Sequence, residues 1–106
     1  MKPTKEQIQW LWEQCGFEYS DDWSSTCPYK DPQGVILHSW KGIDLNNLWK
    51  YAVPTVIDRI MTEQECSSDV AYGILFKKWL QELELNIPHA ALALFWAIYK
   101  CLGGKE

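Results

Sequence analysis

Cys27 and His38 flank a predicted turn, and a cysteine facing a histidine could act as a nucleophile with its general base. The spacing lets the two meet, yet no orienting third residue and no recognisable oxyanion loop accompanies them. Two carboxylate pairs, Asp21-Asp22 and Glu63/Glu65, are close enough in sequence for acid–base work or cation binding. Neither is followed by a glycine-centred calcium loop, and solvated surface charge is the ordinary state of such residues. The four cysteines, Cys15, Cys27, Cys66 and Cys101, contain no C-x-x-C pair, and His38 and His89 are not at metal spacing. The cysteines read as packed free thiols, and His89 as a surface or capping residue. No phosphate loop, G-x-G-x-x-G, H-E-x-x-H or G-x-S-x-G occurs. No metal and no cofactor is expected, and no residue is assigned a catalytic role.

Tryptophan is the unusual feature, with seven in 106 residues. Trp12, Trp49, Trp79 and Trp96 fall on helical apolar stripes and read as core. Trp10, Trp23 and Trp40 lie off the stripes or in a loop. With Tyr29, they are the candidate partner-binding residues, because exposed Trp and Tyr offer large contact area at low ordering cost. The opposing reading is that these side chains close a small core.

The elements that must position them follow from periodicity and end signals. A first helix spans Thr4 to Cys15, with Ile8, Leu11, Trp12 and Cys15 on one face. Thr4 and Gln7 form a capping box at its start, and Gly16 follows its end. A second begins at the N-cap Asp44, where Ile43 and Leu48 fit a hydrophobic staple. Its stripe runs through Leu45, Leu48, Trp49, Ala52, Val53, Val56, Ile57, Ile60 and Met61. Pro54 sits inside that stripe, which continues in phase, so a kink is expected and not a stop. A third helix covers Asp69 to Glu84, capped by Ser67 or Ser68. Tyr72, Leu75, Phe76, Trp79, Leu80 and Leu83 form its apolar side, and Lys77, Lys78, Gln81 and Glu82 its polar side. A fourth, from about Pro88 to Leu102, is apolar almost all round and should be central and buried.

Between the first two helices lies the segment 17–43. Asp31-Pro32-Gln33-Gly34 is a type I turn signal, flanked by Cys27 to Tyr29 and Val35 to Leu37, which reads as a short β-hairpin. Such a hairpin must pack on helices to persist. A connection this long is usually functional or disordered, and Phe17, Tyr19, Trp23, Tyr29 and Trp40 argue against disorder.

Composition bounds the class. At 106 residues, 47% of them hydrophobic, the chain supports a single globular domain spanning 1–106. The longest apolar run, Ala90 to Tyr99, is half of what a bilayer requires, and the N-terminus lacks the apolar stretch of a signal peptide. A cytoplasmic protein without membrane contact is expected. The net charge of −4, shared equally between the halves, argues against nucleic-acid binding.

Two blocks, Asp44-Leu45-Asn46-Asn47-Leu48-Trp49-Lys50-Tyr51-Ala52-Val53-Pro54 and Ala91-Leu92-Ala93-Leu94-Phe95-Trp96-Ala97-Ile98-Tyr99-Lys100, resemble segments of small tryptophan-rich proteins of bacterial and bacteriophage genomes. These are similar to the phage ABA-sandwich family. The resemblance covers 21 of 106 residues, implies a phage or prophage origin, and carries over no site residues. An α-β-α sandwich would place strands between Pro54 and Asn86, where the spacing here reads as helix.

The expectation is a mostly α fold with a small β-hairpin, about four helices packed around a buried C-terminal helix. A layered α+β domain, with Val70 to Phe76 as a strand, is the alternative. The expected function is a non-enzymatic interaction protein of phage or prophage type, binding a protein partner through an aromatic loop surface. A small hydrolase or nuclease-like enzyme and a structural homo-oligomer are the alternatives.

Overall fold

Short polar side chains next to helix starts decide where the helices begin. In the computed structural model, which describes residues 2–19, 29–30, 44–85 and 89–104, three of these starts are satisfied by such groups. Thr4 caps α1 (Lys5–Gln14) with the expected box: its hydroxyl accepts from Gln7 N–H at 3.1 Å, and the Gln7 amide oxygen accepts from Thr4 N–H at 2.8 Å. Asp44 accepts from Asn47 N–H at 3.1 Å and starts α2 (Leu45–Asn47). Ser67 accepts from Val70 N–H at 3.4 Å in the first turn of α4 (Ser68–Leu85). A capping side chain of this kind contributes about 1 kcal/mol.

Between α2 and α3 (Val53–Gln64) the helix does not break. A π-helical segment, Leu48–Ala52, joins α2 directly to α3, and the run continues through Pro54. In that segment Val53 N–H donates to the carbonyl of Leu48, five residues back. The distortion expected from Pro54 therefore takes the form of one extra residue in the turn ahead of it. Glu65 ends α3 in the left-handed region, φ 48°.

Helix α5 (Ala90–Cys101) is the centre of the fold. Every residue from Ala93 to Tyr99 is buried. Helix α4 packs along it, α3 and the π segment cover further sides, and α1 reaches the same core through Leu11 and Trp12. The Trp10 ring meets Tyr99 edge-on at 5.1 Å, and Phe17 bridges Trp12 and Tyr51 at 5.1 and 5.0 Å. The chain leaves α5 at Gly103, φ 88°, and Gly104 lies flat on the Tyr99 ring, where a Cβ would come within 2.5 Å of ring carbon.

Two sequence expectations need correction. Residues 70–76 lie inside α4, so the strand of the α+β alternative is absent, and 54–64 and 68–85 are helical throughout. The hairpin closed at 31–34 is also not supported. Residues 27–28 and 31–37 lie outside the described ones, and β2 (Tyr29–Lys30) pairs antiparallel with β1 (Glu18–Tyr19), Tyr19 opposite Tyr29. The chain leaving α1 turns at Gly16, φ 90°, and offers extended backbone there to pair with.

The centrality of α5 is testable. Leu94 is fully buried, so Leu94→Ala should cost about 2–5 kcal/mol, a large share of the about 5–15 kcal/mol typical of such domains. Urea unfolding reads the loss directly, and an unchanged midpoint would remove α5 from the centre.

Candidate functional site

The inward row of α4 is not the one its hydrophobic spacing suggests. Ala71, Leu75 and Glu82 are the residues it buries. They lie about a quarter turn from the centre of the stripe Tyr72, Leu75, Phe76, Trp79, Leu80 and Leu83. Glu82, expected on the solvent side, is 6% exposed and forms an ion pair with Lys100 of α5. A carboxylate taken out of water needs such a partner, and the partner is fixed on the most buried helix. Turning Glu82 toward Lys100 turns the larger apolar residues of α4 away from the centre.

The result is an aromatic face between α4 and the π segment. Trp49, 36% exposed, lies 6.0 Å from both Phe76 and Trp79, centroid to centroid. Phe76, 40% exposed, also touches Tyr72 and Trp79, at 5.9 and 6.3 Å. Leu80, 64% exposed, lies one helical turn beyond Phe76, and Leu45, 37% exposed, lies four residues ahead of Trp49 on the same helical run. One polar group of the cluster is already committed: the Trp79 indole N–H donates to the Ala90 carbonyl at 3.1 Å and locks that ring to the start of α5. Sequence reasoning put Trp49 and Trp79 in the core and missed this surface. The signal that could have found it is the lysine at position 100 on an otherwise apolar helix, which calls for a carboxylate facing it.

Of the residues expected to bind a partner, Trp10 is half-buried. It packs on the core through Tyr99 and lines a shallow cleft of about 400 Å³ with Glu6, Gln7 and Gly103. Trp23, Trp40 and the side chain of Tyr29 lie outside the described residues, as do Cys27, His38 and Asp21-Asp22. Glu63 is paired with Arg59 at 3.0 Å along the surface of α3. Among the described residues no group of three or more His, Cys, Asp or Glu side chains is placed to hold a metal ion. His89 is exposed at the start of α5 and makes no side-chain capping bond.

Three free cysteines, Cys15, Cys66 and Cys101, are half-buried. Burial pushes the Cys15 thiol up to about 11, against a side-chain hydrogen bond with Thr55 that lowers it. Burial likewise raises Cys101, partly offset by the charge of Lys78. A thiol held neutral at physiological pH is a poor nucleophile, which counts against covalent catalysis at either residue.

No protein-family model, curated protein or solved structure matches this chain. No helix among the described residues is long and apolar enough to cross a membrane.

The Cys15 shift has a pH signature. Above the ordinary thiol value of 9.0 the unfolded chain loses this proton while the folded one keeps it to about 11. The native state then binds more protons, so stability present below 9.0 is lost as pH rises toward 11. Comparing wild type with Cys15→Ala at pH 8 and near pH 10.5 by urea unfolding should show wild type losing about 1–2 kcal/mol more. Equal losses in the two proteins would mean that Cys15 titrates normally.

Proposed function

We propose that this chain is a non-enzymatic interaction protein that docks a protein partner through the aromatic face formed by Leu45, Trp49, Phe76 and Leu80. The observation that carries the reading is the ring cluster of Trp49, Phe76 and Trp79, in which Trp49 and Phe76 are 36% and 40% exposed, with exposed Leu80 one helical turn beyond Phe76. Contiguous apolar surface with aromatic side chains at its centre is the composition of binding hot spots. Two clefts among the described residues give no comparable support to an enzyme. One is lined by Gln64, Ile74, Lys77, Lys78 and Gln81, another by Lys2, His89, Ala90, Ala91 and Leu92, and neither sets a nucleophile beside a base. Trp10, Trp23, Tyr29 and Trp40 belong to the proposal as further contact residues contributed by α1 and the 17–43 segment. A phage or prophage type rests on the likeness of the two sequence blocks to tryptophan-rich phage proteins.

The test is a double variant, Trp49→Ser with Phe76→Ser. Because both side chains are already partly in water, the loss of stability should be about 2–4 kcal/mol, less than the total of a typical domain, and the fold should survive. Capture of a partner from host lysate should fail, since anchoring aromatics commonly cost at least about 2 kcal/mol of binding each when truncated. A companion pair, Trp23→Ala with Trp40→Ala, asks the same of the 17–43 segment. If wild type and the Trp49/Phe76 variant retain the same proteins in the same amounts, the aromatic face is not the docking surface. Sedimentation of wild type at increasing concentration shows whether the occupant is instead a second copy of the chain.

A further inference from the structure

The aromatic face depends on a helical register that an ordinary α-helix would not give. Counting back from α3 at 100° per residue, Trp49 falls within about 30° of the centre of the buried stripe Val53, Val56, Ile57 and Ile60, and Leu48 about 130° from it. The structure shows the reverse: Leu48 is fully buried, while Trp49 is turned to the edge and 36% exposed. The difference is the π segment. Its extra residue shifts everything ahead of Val53 by about 100°, which carries Leu48 into the core and Trp49 out toward Phe76 and Trp79.

Pro54 supplies the reason for a π turn at this place. In an α-helix its ring collides with the carbonyl of Lys50, four residues back, and its nitrogen has no hydrogen to donate there. Widening the preceding turn relieves that collision. Around the proline the backbone is satisfied in other ways: Val53 N–H reaches the Leu48 carbonyl, and the Thr55 hydroxyl donates to the Tyr51 carbonyl at 3.1 Å. Pro54 itself is exposed, so packing does not explain its presence.

We infer that Pro54 is a positioning residue for the docking surface: by imposing the π turn, it takes Trp49 out of the core and sets it on the aromatic face. The inference rests on Trp49 being a docking residue, but its test reads register and not binding, so the two stand or fall separately. In Pro54→Ala, through-hydrogen-bond coupling should move the partner of the Val53 amide from the Leu48 carbonyl to the Trp49 carbonyl. The fluorine resonance of 5-fluorotryptophan at position 49, assigned with Trp49→Phe, should lose most of its H2O-to-D2O shift as the ring turns inward. Asp58→Ala, an exposed change on the same helical run, should alter neither signal. A Pro54→Ala protein that keeps the Leu48 partner and the wild-type solvent shift overturns the inference, because the turn is then held by the core alone. Pro54→Ser serves as a second variant, with the same expected and opposing results.

Discussion

A helix that is apolar on every side has to be enclosed on every side, and α5 imposes that requirement on the rest of the chain. Seven consecutive residues, Ala93 to Tyr99, are buried, so no single partner helix could suffice. Helix α4, α3, the π segment and the rings of α1 divide the circumference among them. Lys100 is the one strongly polar demand on that helix within its last turn. Meeting it with Glu82 places a charge pair at the α4–α5 contact and sets the rotation of α4 about its own axis. The Trp79 bond to the Ala90 carbonyl ties the same part of α4 to the start of α5.

That rotation leaves more apolar surface than the core can take. Helix α4 carries six large hydrophobic residues along one stripe but buries a row centred elsewhere, so Phe76 and Leu80 remain in water and Trp79 is only partly covered. Burying what remains exposed of Phe76 and Leu80 would be worth about 1–2 kcal/mol each. With this rotation Glu82 faces Lys100 and not the solvent. The π segment adds to the same surface from the opposite side by bringing Trp49 to the edge of its stripe. The exposed apolar face thus follows from both the rotation of α4 and the π turn, which sets it apart from an isolated exposed leucine.

Among the described residues, the thiols and the carboxylate of Glu63 are committed to packing or pairing. The described thiols are packed, two of them with raised proton affinity, and Glu63 is taken up by a surface pair with Arg59. The Trp10 cleft joins the first turn of α1 to the end of α5, and its largest rings, Trp10 and Tyr99, are occupied with each other.

Local sequence determined where the helices start and which of them is central. Thr4 with Gln7, Asp44 and Ser67 cap the starts they were expected to cap, because a capping bond involves only residues within one turn. The all-round apolar character of α5 likewise needs no knowledge of its neighbours. Helix rotation was another matter. Which face of α4 turns inward depends on Lys100, eighteen residues away from Glu82, and no period within α4 contains that information. Register at Trp49 depends on how the chain accommodates Pro54. A proline can kink, stop or widen a helix; here the turn ahead of it is widened and Leu48 enters a core built from several elements. The aromatic face exists only once both of those tertiary choices are made.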